Sequence, residues 1–132
     1  MQEKCFYKRG ENFMKILVAD DSMFSQKTTI KTLKSIYPDA IYKTANDGFE
    51  CIQVYAAFLP DFVFMDLLMP KMSGQEAIKQ ILDKYPTAKI IVLSADIQLA
   101  VRAEVLSAGA LAFINKPINA TKLKEIELLI EG

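Results

Sequence analysis

Five short apolar runs alternate with segments of helical period along this chain, and that alternation restricts the fold more than any other feature. The runs are KILVA (15–19), AIYKTA (40–45), FVFMD (62–66), KIIVLS (89–94) and AFIN (112–115). Between and after them, apolar residues recur at helical spacing: Ile30, Leu33 and Ile36; Ile52, Tyr55 and Leu59; Ile78, Ile81, Leu82 and Tyr85; Ile97, Val101 and Val105; Leu123, Ile126 and Ile130. Pro38, Pro60 and Pro86 follow the expected helices, and Gly109 stands where a C-cap is expected. Strict β-α alternation predicts a parallel sheet with helices on both faces. KILV and IIVL do not alternate apolar with polar, as expected of strands buried on both sides. The expected fold is therefore α/β, a doubly wound five-stranded parallel sheet in the order 2-1-3-4-5. A length of 132 residues suits one such domain.

Within this apolar frame the polar residues fall at one kind of position. Asp66 interrupts FVFMDLLMP (62–70), where an unpaired carboxylate would cost several kcal/mol, on the order of what burial of a charge demands. Asp20 and Asp21 end the first run, Ser94 ends the fourth, and Lys116 follows the fifth, just before Pro117. All lie at carboxyl ends of expected strands, where open α/β sheets bind ligands. In a 2-1-3-4-5 sheet the order reverses between strands 1 and 3, which carry the three aspartates. Two like charges ~4 Å apart repel by ~4 kcal/mol at an effective dielectric of ~20, so a cation is required. Lys116 supplies one, and an all-oxygen cluster also suits Mg²⁺, which binds through a few carboxylates, waters and phosphate oxygens. A hydroxyl and an ammonium beside such an ion make a cradle for phosphoryl oxygens. Asp66 is then placed to be a nucleophile. Each residue also has an ordinary structural reading: DDS as an N-cap, Ser94 as a turn former, Lys116 as a solvated loop residue, Asp66 as a turn start. Complementary chemistry at four strand ends together favours a site.

Several function classes are excluded. The chain has no histidine, which rules out His-based catalysis, His metal ligands and a phosphohistidine carrier within it. Sixteen basic residues balance sixteen acidic ones, leaving no electrostatic footprint for nucleic acid. No apolar run approaches ~18 residues, so no membrane span is expected. Cys5 and Cys51 have no metal-binding or CxxC spacing, and free thiols in a reducing, cytoplasmic compartment are the expectation. No Walker-type GxxxxGK[ST] occurs.

From about Met14 onward the chain resembles the receiver domain of two-component response regulators, of the chemotaxis type. LVADDS is similar to the acidic pair after strand 1, and MDLLMPKMSG to the phospho-acceptor with its proline and glycine. LSA is similar to the switch hydroxyl after strand 4, and INKP to the lysine-proline after strand 5. The resemblance implies a flavodoxin-like fold and a set of roles. Asp66 would accept the phosphoryl group, Asp21 would ligate Mg²⁺ directly, Asp20 would assist through water, and the Leu68 carbonyl would be a further ligand. Ser94 and Lys116 would hold the phosphoryl oxygens, and the bond before Pro117 would be cis. Ser94 and Phe113 would form the switch, with output through helix 4, strand 5 and helix 5, where Gln98, Val101, Arg102 and Lys122 are candidates. Leu68 and Asp96 would flank the water path that governs the lifetime of the phosphate. Met65, Met69 and Met72 read as gap-filling or loop residues.

The implied function is a signalling switch phosphorylated on Asp66 by a sensor histidine kinase, a histidine phosphotransfer protein or a small acyl phosphate. It would catalyse only its own phosphorylation and dephosphorylation, bind a downstream protein, and exist as a monomer or as a weak dimer on phosphorylation. An alternative is a Mg²⁺-dependent aspartyl phosphatase of the haloacid-dehalogenase type, which requires a second aspartate where Leu68 stands. A flavodoxin-like cofactor binder would need a phosphate-cradling loop where DDS places negative charge instead. Residues 1–13 are mixed and aperiodic, and are expected to be a loosely attached extension of a domain spanning 14–132, with Met14 as a second possible start. A stand-alone receiver and a piece of a longer regulator both remain open.

Overall fold

The computed structural model describes residues 13–95 and 98–131. Asp96, Ile97 and residues 1–12 lie outside the described residues, and so does the expectation for the N-terminal extension. The elements run β1 (Lys15–Ala19), α1 (Met23–Lys34), β2 (Ile41–Ala45), α2 (Gly48–Phe58), β3 (Phe62–Met65), α3 (Gly74–Lys84), β4 (Ile90–Ser94), α4 (Leu99–Ala108), β5 (Ala112–Asn115) and α5 (Ala120–Glu131). All four strand pairings are parallel, and the order is β2-β1-β3-β4-β5, as the alternation predicts.

The two-residue period of the strands divides the core into two layers. Leu17, Ala19, Val63, Met65, Ile90, Val92 and Phe113 face one way, against Cys51 and Tyr55 of α2, Ile78 and Ile81 of α3 and Val105 of α4. Ile16, Val18, Phe62, Phe64, Ile91, Leu93 and Ile114 face the other way, against Leu33 of α1 and Ile126 and Ile130 of α5. β1, β3 and β4 are therefore apolar on both sides, which is why their sequences do not alternate. Met65, Met69 and Met72 all pack in or against the first layer.

Three residues that mark helical period fall just beyond their helices. Ile36 follows the C-cap Ser35, while Leu59 and Tyr85 are themselves C-caps. The periodicity overruns because the chain still delivers side chains toward the core as it leaves the helix. Ile36 packs against the second layer, and the Tyr85 ring lies 4.9 Å from that of Tyr55. Cys51 is fully buried, and burial, with the charges of Asp47 and Glu50, pushes its thiol up to about 12.

Gly109 ends α4 in the left-handed region (φ 116°), and a Cβ there would stand 2.8 Å from Leu82 Cδ1. Gly109→Ala is expected to lower stability by about 1–2 kcal/mol, from backbone strain and the Leu82 contact together. Urea denaturation, with an unchanged m-value, checks this.

Candidate functional site

The register of the sheet builds the site. Ala19 pairs with Met65, so Asp20 and Asp66 are the next residues out of two adjacent parallel strands. The Asp66 N–H donates to the Ala19 carbonyl at 2.9 Å, which extends the ladder by one bond and holds the two aspartates level. On the far side of β3, Met65 pairs with Val92, so Ser94 stands two residues beyond that pair at the same end of the sheet. Ser94 pairs with Asn115, and the Lys116 N–H donates to the Ser94 carbonyl at 2.9 Å. Lys116 therefore stands at the same end of the sheet as the aspartates, and the Lys116–Pro117 peptide is cis.

Oxygen atoms of Asp20, Asp21 and Asp66 lie within 4.8 Å of one another. Asp20 is buried and Asp21 exposed, with Asp66 between. The Lys116 ammonium closes the group, with Nζ 2.8 Å from Asp20 Oδ2 and 3.5 Å from Asp66 Oδ2. Both oxygens of Asp20 are engaged. Oδ1 accepts from the Ser22 N–H at 3.0 Å, and Oδ2 accepts from Lys116 and from the Ser25 hydroxyl. Asp66 accepts at Oδ1 from the Leu68 N–H at 3.4 Å. The Leu68 side chain points outward and is 76% exposed.

These surroundings push the two carboxyls in opposite directions. Burial alone would raise Asp20, but hydrogen bonds from Lys116, Ser25 and Ser22, with the charge of Lys116, outweigh it and hold the group below its usual range. Asp66 is raised. Burial is the main cause, opposed by Lys116 and reinforced by the negative charge of Asp20. The donor set is all oxygen, carries three formal negative charges and leaves Asp21 open to solvent. Those are the requirements of a hard divalent ion that keeps some of its waters.

α1 and α3 hold this geometry in place. Ser22 is the N-cap of α1, accepting from the Ser25 N–H at 3.1 Å, so the capping and the site readings of DDS are both true. Gln26, buried one turn in, donates to the Asp20 carbonyl at 2.6 Å and to Asn46 Oδ1 at 2.7 Å, tying α1 to the ends of β1 and β2. On α3, a Cβ at Gly74 would stand 2.4 Å from the Asp66 carbonyl oxygen, so only glycine lets the helix start so close to that strand end. Ser25 and Gln26 were not among the candidates read from sequence. Their signal is positional: in DDSMFSQ they lie five and six residues after Asp20, one helical turn above the aspartates.

Phe113, Val101, Arg102 and Lys122 have contacts of their own. Phe113 is buried in the first core layer, with the Arg102 guanidinium 5.7 Å from its ring centroid and Arg102 Nη1 3.4 Å from its carbonyl oxygen. Val101 packs against the same layer, and Lys122 Nζ donates to the Asn115 carbonyl at 2.7 Å.

Comparison with known proteins identifies the family of the chain. The family model for the response regulator receiver domain matches residues 16–127. The chain is 37% identical over 112 residues to the chemotaxis protein CheY of Listeria monocytogenes, covering 85% of this chain and 93% of that protein. It is 40% identical over 114 residues to CheY of Thermotoga maritima, covering 84% and 92%. Among solved structures it is similar to a chain of the CheX-CheY-BeF3-Mg complex from Borrelia burgdorferi, with a TM-score of 0.83, 29% identity and 90% coverage of each chain.

Replacing Lys116 tests the electrostatic account. In metal-free buffer, Lys116→Met is expected to raise the carboxyl pKa of Asp20 and to raise that of Asp66 further, as carboxyl carbon NMR would report. The lowered Asp20 contributes stability above its ordinary value of about 3.9, and that stability is lost as pH falls through its folded value. The raised Asp66 acts in the opposite sense, costing stability as pH rises from the ordinary value through its folded one. Lys116→Met is therefore expected to lose the Asp20 contribution and to begin acid unfolding at higher pH than the wild type.

Proposed function

The chain belongs to the response regulator receiver domains, and we propose that Asp66 is the residue through which this phosphorylation-activated switch is turned on. The observation that carries the assignment is the position of Asp66. It leaves the fully buried β3, its carboxylate faces a lysine, and two further carboxylates stand within metal-sharing distance.

In this reading a phosphohistidine of a sensor kinase or phosphotransfer protein, or a small acyl phosphate, enters at the strand ends. An Asp66 carboxylate oxygen attacks phosphorus in line, and the bond from phosphorus to the donor's nitrogen or oxygen breaks as the new P–O bond forms. The Lys116 ammonium and the Ser94 hydroxyl donate hydrogen bonds to the equatorial oxygens. Asp21, Asp66 and the Leu68 carbonyl are the proposed ligands of Mg²⁺, which when bound offsets negative charge on those oxygens. Asp20, with both carboxylate oxygens already accepting hydrogen bonds, is suited to an indirect role through water. Hydrolysis of the acyl phosphate resets the switch, with the exposed Leu68 bordering the path of the attacking water.

Output is assigned to α4, β5 and α5, including Gln98, Val101, Arg102 and Lys122, with Ser94 and Phe113 as the moving pair. A downstream protein is the receiver of that signal. Among the described residues no helix is long and apolar enough to cross a membrane, and we assign the chain to the cytoplasm. We take the folded unit to begin at Met14, whose side chain is buried and whose carbonyl accepts from the Ile41 N–H at 2.8 Å. The aspartyl phosphatase alternative lacks its acid, because Leu68 has no proton to give.

Acetyl phosphate with Mg²⁺ is expected to add one phosphoryl group per chain at Asp66, measured by intact mass. Asp66→Asn and chelation of the metal are each expected to abolish it. Labelling of Asp66→Asn at the wild-type rate would sink the assignment, and rapid turnover of many phosphate esters would favour the phosphatase.

A further inference from the structure

We propose that Ser25, on the first turn of α1, is a positioning residue for phosphoryl transfer, fixing the Lys116 ammonium so that its remaining N–H is aimed at Asp66. The inference rests on the assignment of Asp66 as phospho-acceptor.

A lysine ammonium has three donors and no acceptor. Here one donor reaches Asp20 Oδ2 at 2.8 Å, a second reaches Ser25 Oγ at 2.9 Å, and Asp66 Oδ2 lies at 3.5 Å for the third. Ser25 has one proton, which it donates to Asp20 Oδ2, so its lone pairs are free to face Lys116. Asp20, Ser25 and Lys116 thus form a closed triangle of hydrogen bonds beside the nucleophile. Two corners hold the ammonium, and the third donor has only the Asp66 side left to face.

Packing alone does not fix the ammonium. Ser25, Phe24, Thr28, Lys116, Pro117 and Ile118 line a cleft of about 180 Å³ between α1 and the loop after β5, so the flexible Lys116 stem borders open space on that side. The head of the side chain is held by hydrogen bonds instead. A donor fixed in advance costs no reorganisation when negative charge builds on the phosphoryl oxygens, which is the advantage of preorganised electrostatic stabilisation. Ser25 touches no reacting atom and acts through Lys116.

The test is the rate of labelling by acetyl phosphate at fixed Mg²⁺. Ser25→Ala is expected to label about tenfold more slowly, the effect of a lost hydrogen bond to a charged group. Ser25→Thr, which keeps the hydroxyl, is expected to stay within about twofold of wild type. In a Lys116→Met background, Ser25→Ala is expected to make no further difference, because the residue it positions is gone. Carbon relaxation at the Lys116 ε position is expected to show greater mobility in Ser25→Ala than in the wild type. Wild-type labelling by Ser25→Ala, equal losses in the Ala and Thr variants, losses that multiply in the Lys116→Met background, or a Lys116 equally ordered without Ser25 would each overturn the proposal. Asp66→Asn run alongside separates the two readings. If it is silent while Ser25→Ala matches wild type, the positioning role fails and the phospho-acceptor stands; if wild type itself does not label, both fall.

Discussion

Two carboxylates on neighbouring strands of one sheet must share a cation, and the rest of this molecule is arranged around that requirement. The register that pairs Ala19 with Met65 leaves no freedom to separate Asp20 from Asp66. Repulsion of ~4 kcal/mol for charges ~4 Å apart, at an effective dielectric of ~20, is a large fraction of the stability of a small domain. Lys116 sits between them, and its place is set by the β4–β5 pairing at Ser94 and Asn115. The site is thus a consequence of strand order, because only β1-β3-β4-β5 adjacency brings the acid pair and the base to one end. The unequal sharing of Lys116, closer to Asp20 than to Asp66, leaves Asp20 the better stabilised anion and Asp66 the less stabilised one. A carboxylate less stabilised by its neighbours is the better candidate for forming a new bond.

Rigidity behind the site comes from burial on both sides of β3. Phe62 and Phe64 fill one layer, Val63 and Met65 the other, and all four are buried. A strand held this way cannot rotate to carry Asp66 elsewhere without opening two core layers. Gly74 closes the same strand end from α3, and Gln26 closes the β1 end from α1. Each uses backbone contact or a buried amide, so the site is held independently of any ligand.

Much of this was legible in the sequence because it depends on patterns that a sheet imposes. Apolar runs of four to six residues, their spacing, and the placing of Asp20, Asp21, Asp66, Ser94 and Lys116 after them follow from strand geometry alone. The boundaries of helices were less legible: Leu59, Ile36 and Tyr85 carry the apolar signal past the last turn because caps and the residues after them still pack. Leu59 even adopts a left-handed conformation (φ 49°), which a leucine gives no hint of in advance. Ser25 and Gln26 were missed for a different reason. A serine or glutamine early in a helix is usually solvated, and only the three-dimensional meeting of α1 with the strand ends distinguishes these two from Thr28 or Lys27.

The same two-residue period that divides the core also relates the strand ends to the α4 side of the sheet. Val92 pairs with Phe113 and belongs with it to the first layer. Ser94, two residues on, must point to that same face. Ser94 and the aromatic ring on β5 are therefore neighbours by register, with the ring already buried beneath Arg102. In the proposed switch, a shift of Ser94 toward a phosphoryl group on Asp66 would change the space beside Phe113, and interiors packed to crystal density do not absorb such a change without moving a side chain. Under that proposal Arg102 would register the change, since its guanidinium contacts both the ring and the carbonyl of Phe113 while the side chain remains at the surface. In that proposal, communication from the strand ends to α4 would need no long pathway, only one pair of residues on one face of two adjacent strands.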